Sequence, residues 1–249
     1  MHHADAMAKT IHIAMWSGPR NISTTMMRSF ENRADTTVID EPFYASYLAR
    51  SGVDHPFRQE VLEAQPNSHV DARRWALAEN PDGIKYKFHK HIAFHVELEA
   101  SIDWLLVARC FLLIRDPRAM VASYADRLED VTPIITSYKF ERRLADFMKK
   151  NNKVCPIVDA KDMLKAPEAM LRKLCGELDI PFDTAMLEWP AGKRASDGVW
   201  APHWYRAVES STGFRPYVES TITLTSALED VAAACQDDYD FLSKARLTA

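Results

Sequence analysis

The chain has 249 residues, 47% of them hydrophobic and 27% charged, and its formal net charge at pH 7 is −4. This length and composition suit a packed globular core of the size that enzymes use. The 31 basic and 35 acidic residues give no general attraction to nucleic acid or to an anionic membrane, so we expect neither as a partner. Any anion-binding site must therefore be local, and nothing in the sequence indicates an oligomeric state.

The four cysteines are widely spaced, without a CxxC pair or zinc-ligand spacing, which predicts a reduced, cytoplasmic chain without a metal site. Residues 1–9 lack the apolar core of a signal peptide, and we expect them to be disordered. No run approaches the ~18 apolar residues that a membrane span needs. Residues 10–249 are predicted to form a single α/β domain.

Short apolar runs alternate with amphipathic segments along the chain. The predicted strands are 10–16, 36–40, 83–90, 110–116 and 153–160. The predicted helices follow the first strand and then occupy 91–98, 117–128, 137–152, 167–178 and a segment around 226–235. Residues 43–82 mix aromatic and polar side chains and are predicted to be an insertion of helices and loops. This alternation predicts a three-layer α/β fold, in which helices cover both faces of a mostly parallel central sheet.

The first strand passes into a helix through residues 16–28, WSGPRNISTTMMR. Such a turn directs backbone N–H groups and the positive end of the helix at an anion. The candidate phosphate ligands of this turn are Gly18, Arg20, Ser23, Thr24 and Thr25. The hydroxyls also fit a simple helix cap. Ser23 and Thr24 stand where a Walker A loop has Gly and Lys, which argues against an ATP or GTP hydrolase.

A second anion signal lies in FLLIRDPRAMVASY. Arg115 ends an apolar strand, and Ser123 lies about two turns into the next helix. Both can face the crevice beyond the carboxyl ends of the strands, where ligands of open α/β sheets bind. The alternative is a salt bridge from Arg115 to Asp116 or Asp40, with Ser123 as a packing residue.

Together these segments resemble the sulfotransferase family that uses 3′-phosphoadenosine-5′-phosphosulfate (PAPS). Members carry a P-[KR]-S-G-T-T loop after the first strand, and residues 19–24 are similar to this pattern. Members also carry an Arg at the end of a later strand and a Ser eight positions after it, and Arg115 and Ser123 have this spacing. The resemblance implies that the loop residues hold the 5′-phosphosulfate and that Arg115 and Ser123 hold the 3′-phosphate. It also implies a P-loop-like fold and metal-free sulfuryl transfer to a hydroxyl or amine of a small molecule or carbohydrate. The insertion at 43–82 would line the acceptor site.

The loop departs from the family pattern, because Asn21-Ile22 replaces the usual Ser-Gly. Isoleucine avoids the positive φ that glycine accepts, so the backbone path is expected to differ here. Later in the chain, residues 192–194 (GKR) resemble the basic loop that closes over the nucleotide.

Sulfuryl transfer needs charge stabilisation, which suits Arg20, and a base for the acceptor proton. Glu41 follows the second strand and resembles the proposed base of some carbohydrate sulfotransferases, although it would need a raised pKa, and the alternative is a simple bridge to Arg20. His91 and His89 titrate near neutrality. We rank Glu41 and His91 equally, ahead of His89.

Two other functions are compatible with the same residues. One is a nucleotide-dependent kinase with a modified P-loop, which the absent Gly-Lys disfavours. The other is a non-catalytic nucleotide-binding protein of the same fold, which the Asn21-Ile22 departure suggests.

Overall fold

The computed structural model describes residues 9–219 and 221–249. The strands are β1 (Ile11–Ser17), β2 (Thr36–Asp40), β3 (Tyr86–Ile92), β4 (Arg109–Ile114) and β5 (Ile157–Asp159). The helices are α1 (Ser23–Glu31), α2 (Tyr44–Ser51), α3 (Arg58–Ala64), α4 (His69–Ala76), α5 (Pro117–Ala125), α6 (Pro133–Lys150), α7 (Ala160–Lys165), α8 (Pro167–Glu177), α9 (Ala201–Trp204), α10 (Arg206–Glu209) and α11 (Ser226–Ser243). Apart from Lys9, the start that we expected to be disordered lies outside the described residues.

The five strands form one sheet in the order β2-β3-β1-β4-β5, and every pair is parallel. The predicted central parallel sheet is therefore confirmed. Because β1 lies between β3 and β4, the carboxyl ends of these three strands meet at the middle of one sheet edge. The turn after β1 and the strand-end residue Arg115 are thus brought together.

Strand side chains alternate between the two faces of the sheet. On the face covered by α1, called here the α1 face, Met15, Phe88 and Phe111 belong to the same buried cluster as Met26 and Phe30 of the helix. On the opposite face, called the α6 face, Trp16 and Leu112 share a buried cluster with Phe140 and Leu144 of α6. Helices thus cover both faces, as the alternating pattern predicted.

The predicted helix at 91–98 is wrong. Strand β3 continues through His91 to Ile92, because its backbone stays paired with β1 as far as Ser17. Only a single 3-10 turn follows, at Ala93–His95. His91 and His95 therefore do not share a helix.

The insertion predicted at 43–82 contains α2, α3 and α4, which lie between β2 and β3. The strand predicted at 153–160 is shorter than expected, since only Ile157–Asp159 pairs with β4. Within residues 9–219 and 221–249, no helix is both long enough and apolar enough to cross a lipid bilayer.

Candidate active site

The turn from β1 into α1 follows a left-handed backbone path. Arg20 has φ 57° and Ile22 has φ 46°, so the isoleucine adopts the conformation that we expected it to avoid. Two contacts hold it there: the buried Asn21 side chain donates a hydrogen bond to the Leu113 carbonyl of β4, and Ile22 packs on the core of the α1 face. A β-branched residue in this region carries about 1–2 kcal/mol of strain. The Asn21 hydrogen bond and the packing of Ile22 therefore hold the positive φ that a glycine at this position would adopt without strain.

Gly18 leaves room for a neighbouring helix. A Cβ atom at this position would lie 2.6 Å from the Met120 sulfur, which is closer than Cβ atoms in proteins come to a neighbouring heavy atom. Met120 itself is fully buried on α5. The glycine therefore allows α5 to pack against the turn, and with it Ser123 of the same helix.

Two arginines and a serine meet at this turn. Arg20 Nε donates to Ser123 Oγ at 3.2 Å, and the Arg115 guanidinium donates to the backbone carbonyl of Arg20. Burial lowers the pKa of both arginines, and the nearby charges of Arg127 and Arg115 lower that of Arg20 further.

Neither Arg20 nor Arg115 forms an ion pair with a carboxylate of the described residues. The alternative pairing of Arg115 is not formed, because Asp116 instead caps α5 through the Ala119 N–H at 3.0 Å. Asp40 pairs with Lys90. Two neighbouring cations that are not paired with a carboxylate suit an anion site.

A cavity of about 340 Å³ opens beyond the strand ends at this cluster. The sequence-predicted residues that line it are Arg20, Ser23, Thr24, Thr25, Glu41, Arg115 and Ser123. Gly18, His89 and His91 are not part of its lining. The structure thus brings both predicted anion segments and Glu41 to one cavity.

Glu41 lies in a buried charge network. Lys90 Nζ pairs with Glu41 Oε1 and lies 2.9 Å from Asp40 Oδ1 and 2.8 Å from the Tyr205 hydroxyl. The Tyr205 hydroxyl donates to Asp40 Oδ2 at 2.7 Å. Glu41 therefore pairs with Lys90 rather than with Arg20.

The network also changes the acidity of Glu41. Burial raises the pKa of Glu41 to about 7, with repulsion from Asp40 adding to the increase and the Lys90 ammonium opposing it. A carboxyl group with this pKa can accept and release a proton near neutral pH.

The histidines of β3 lie behind the sheet. His91 stacks on Trp16 of the α6 face with ring centroids 4.1 Å apart, and His89 Nε2 lies 3.1 Å from His12 Nδ1. Burial lowers the pKa of His91 to about 3, which leaves it a weak base. Neither His89 nor His91 is placed to reach the cavity, whereas Lys90, between them, points to the other face.

Several cavity residues were missed by the sequence reasoning. They are Lys90, His95 and Arg215, whereas Tyr44 and His55, which also line the cavity, belong to the 43–82 insertion that was expected to line the acceptor site. Strand alternation was the available signal for Lys90, since it shares a face with Phe88. Residues 200–205 (WAPHWY) both pack and line the cavity: Trp200 is buried, and Trp200, Trp204 and Tyr205 are part of the cavity wall.

The GKR segment lies elsewhere. Arg194 Nε is 3.7 Å from Glu31, at the end of α1 opposite the phosphate turn, so its expected position over the nucleotide is wrong. Among the residues that the structure describes, no group of three or more His, Cys, Asp or Glu side chains is placed to hold a metal ion.

The fold resembles solved sulfotransferase structures. The sulfotransferase domain from the curacin biosynthetic pathway is 14% identical, with a TM-score of 0.54 over 97% of this chain and 100% of that chain. The sulfotransferase from Alicyclobacillus acidocaldarius is 10% identical, with a TM-score of 0.50 over 94% of each chain. These likenesses show the fold, which is the P-loop-like fold of sulfotransferases.

Curated relatives come from Arabidopsis thaliana. Branched-chain-amino-acid aminotransferase-like protein 2 is 34% identical over 92% of this chain, and the similarly named protein 1 is 36% identical over 84%. The aligned regions span 41% and 37% of those proteins, so most of each lies outside the match. The family described as "Sulfotransferase domain" matches residues 11–242, which is nearly the whole chain. The chain therefore belongs to the sulfotransferase family.

Proposed function

We propose that this protein transfers a sulfuryl group from PAPS to a hydroxyl or amine of a small-molecule or carbohydrate acceptor. The observation that carries the proposal is the pair Arg20 and Arg115, two cations without a carboxylate partner that face the same cavity as Glu41. Arg20 follows β1 and Arg115 follows β4, so the two cations come from separate segments, which suits a ligand with two separate anionic groups.

The described residues fit PAPS. Ser23, Thr24 and Thr25 open α1, where free N–H groups and the helix dipole favour an anion, and they would hold the 5′-phosphosulfate together with Arg20. Arg115 and Ser123 would hold the 3′-phosphate. When bound, PAPS supplies an activated sulfuryl group with a nucleotide phosphate as the leaving group. Arg20 is placed to stabilise charge that develops there.

Glu41 is the base that the geometry supports best. It lines the cavity, and Lys90 holds its Oε1 atom. Its pKa of about 7 allows it to take the acceptor proton at neutral pH. His89 and His91, which sequence reasoning ranked beside it, point to the α6 face. In this proposal they support the fold rather than the reaction.

Two measurements test the function. Isothermal titration calorimetry should show binding of adenosine 3′,5′-bisphosphate, and weaker or no binding of ATP with Mg²⁺. Mass spectrometry of metabolite pools incubated with the protein and PAPS should show products that have gained a sulfate. Phosphorylated products with ATP would indicate the kinase instead. Tight nucleotide binding without a sulfated product would indicate a binding protein.

A further inference from the structure

His95 lies at the cavity with an unused nitrogen. It follows β3 on the 3-10 turn and is 3% exposed, and its Nδ1 has no hydrogen-bond partner among the described residues. Its ring stacks between Tyr44, at 4.6 Å between centroids, and Tyr47, at 5.0 Å. The stack fixes the ring, so the free nitrogen has a defined position.

That nitrogen faces the carboxylate of Glu41. His95 Nδ1 is 3.9 Å from Glu41 Oε2, whereas the other carboxylate oxygen is held by Lys90. The separation is too long for a direct hydrogen bond, but one oxygen atom can lie within ~2.8–3.0 Å of both atoms. A buried nitrogen without a partner is costly, and such an oxygen would satisfy it.

We propose that the hydroxyl of the acceptor binds between His95 Nδ1 and Glu41 Oε2. This assignment rests on the proposed sulfotransferase function and adds His95 to it as a catalytic residue. The acceptor O–H donates to Glu41, and the His95 Nδ1–H donates to the acceptor oxygen. Burial lowers the pKa of His95 well below its ordinary value, which favours the neutral ring, and the assignment requires the single N–H of that ring to be on Nδ1.

The transfer step balances with these two residues. The acceptor oxygen forms a bond to sulfur, and the bond between sulfur and the 5′-phosphate oxygen of PAPS breaks. The acceptor proton passes to Glu41 Oε2, and adenosine 3′,5′-bisphosphate leaves. His95 keeps its proton throughout and fixes the direction from which the acceptor oxygen approaches.

The surroundings select the class of acceptor. The apolar and aromatic lining of the cavity includes Tyr44, Ile92, Phe94, Tyr124 and Trp200, and the rings of Tyr44 and Phe94 contact that of His95. Two of the polar groups here already have partners, since the Tyr44 hydroxyl lies 3.0 Å from His55 Nδ1 and Lys90 binds three oxygens. A sugar would bring several hydroxyls that lose water without finding partners. The acceptor class is therefore a hydroxyl on a flat, uncharged, mostly apolar frame, rather than a carbohydrate.

The test compares His95→Phe with wild type. Phenylalanine keeps the stacked ring and removes Nδ1, and His12→Phe is the matched control, because His12 is also buried but lies on β1 away from the cavity. The probes are 2-naphthol and methyl glucoside, each assayed with PAPS. Titration with adenosine 3′,5′-bisphosphate reports separately on the fold and on the nucleotide site.

We expect wild type to sulfate 2-naphthol at least tenfold more efficiently, in kcat/KM, than methyl glucoside. His95→Phe should lose about tenfold or more in kcat/KM for 2-naphthol, as expected for one hydrogen bond in a buried site, and should keep its nucleotide affinity within about twofold. His12→Phe should match wild type in both measurements.

Three results would overturn the assignment. They are equal rates for His95→Phe and wild type, a preference for methyl glucoside, and nucleotide binding without transfer to 2-naphthol. If other acceptors are sulfated in that last case, the proposed function stands and only the acceptor site is wrong. Absence of both nucleotide binding and transfer would reject the two proposals together.

Discussion

The guanidinium of Arg115 donates a hydrogen bond to the backbone carbonyl of Arg20, although β2, β3 and the whole insertion separate them along the chain. They meet because β1 and β4 are parallel neighbours, so the ends of the two strands lie side by side. Ser123, on the helix after β4, completes the contact with Arg20 Nε at 3.2 Å. The sheet order thus builds the anion cluster from two distant segments.

Arg115→Ala should weaken adenosine 3′,5′-bisphosphate binding by about 100-fold in titration calorimetry. The substitution removes a partly buried cation, and losses of ~2–5 kcal/mol are typical when one partner of such a charged contact is truncated. Arg142→Ala is the control, because Arg142 pairs with Asp238 on the surface of α6 and should bind the nucleotide like wild type. Equal affinities of the two variants would remove Arg115 from the site.

Glu41→Gln should lower kcat by about 10²–10⁴-fold, the usual contribution of a positioned general base. Nucleotide affinity should stay within about twofold, since Glu41 pairs with Lys90 and contacts neither Arg20 nor Arg115. Glu63→Gln serves as the control, because Glu63 is exposed on α3. A kcat that survives in Glu41→Gln would mean that another group takes the proton.

The rate should depend on pH through Glu41. The acceptor proton requires the carboxylate form, and a pKa of about 7 means that kcat/KM falls roughly tenfold per pH unit below 7. An ordinary glutamate would give a flat profile down to about pH 5. Lys90→Met removes the ammonium that lowers this pKa, so the acidic limb should move to higher pH. A limb that stays in place would show that Glu41 does not control the profile.

Asn21→Ala should reduce the free energy of unfolding by about 1–2 kcal/mol in chemical denaturation. The substitution leaves the buried carbonyl of Leu113 without its side-chain donor and frees the turn. Asn151→Ala removes a comparable side-chain bond, to Phe147, at the exposed end of α6, and should cost less than about 0.5 kcal/mol. Similar losses for the two variants would argue against an anchoring role for Asn21.

Arg28→Ala should destabilise the protein by about 3–5 kcal/mol, measured in the same way. Arg28 is 1% exposed and pairs with Asp197 at 2.6 Å, so its removal leaves a buried carboxylate without a counter-charge. Arg172→Ala is the control. It breaks the ion pair between Arg172 and Glu168, two side chains that are each 55% exposed, and should change the free energy of unfolding by less than about 1 kcal/mol. A small loss for Arg28→Ala would mean that water solvates Asp197 once the arginine is gone.

Strands β1 and β4 were readable from sequence because each is a short, mostly apolar run that stops at a turn residue or a charge, as β4 does before Arg115. The end of β3 was not readable. HIAFH (residues 91–95) contains no glycine or proline, and its first two residues, His91 and Ile92, stay extended because β1 offers pairing partners as far as Ser17. A neighbouring strand, distant in sequence, therefore decided its local structure.

The choice between the candidate bases depended on which face of the sheet carries the cavity. Glu41, His89 and His91 all lie near strand ends, and sequence order does not say which face of the sheet carries the cavity. Once Phe88 is placed against α1, alternation sends Lys90 to the cavity side and both histidines to the other. His95 could be recognised only after the end of β3 was known.

Contacts within the protein hold the turn between β1 and α1 in shape. Asn21 ties it to β4 and Ile22 is packed into the core at φ 46°. The conformational entropy of these residues is therefore lost when the chain folds and not when an anion binds. A preorganised cradle of this kind binds more tightly than a flexible loop that makes the same contacts.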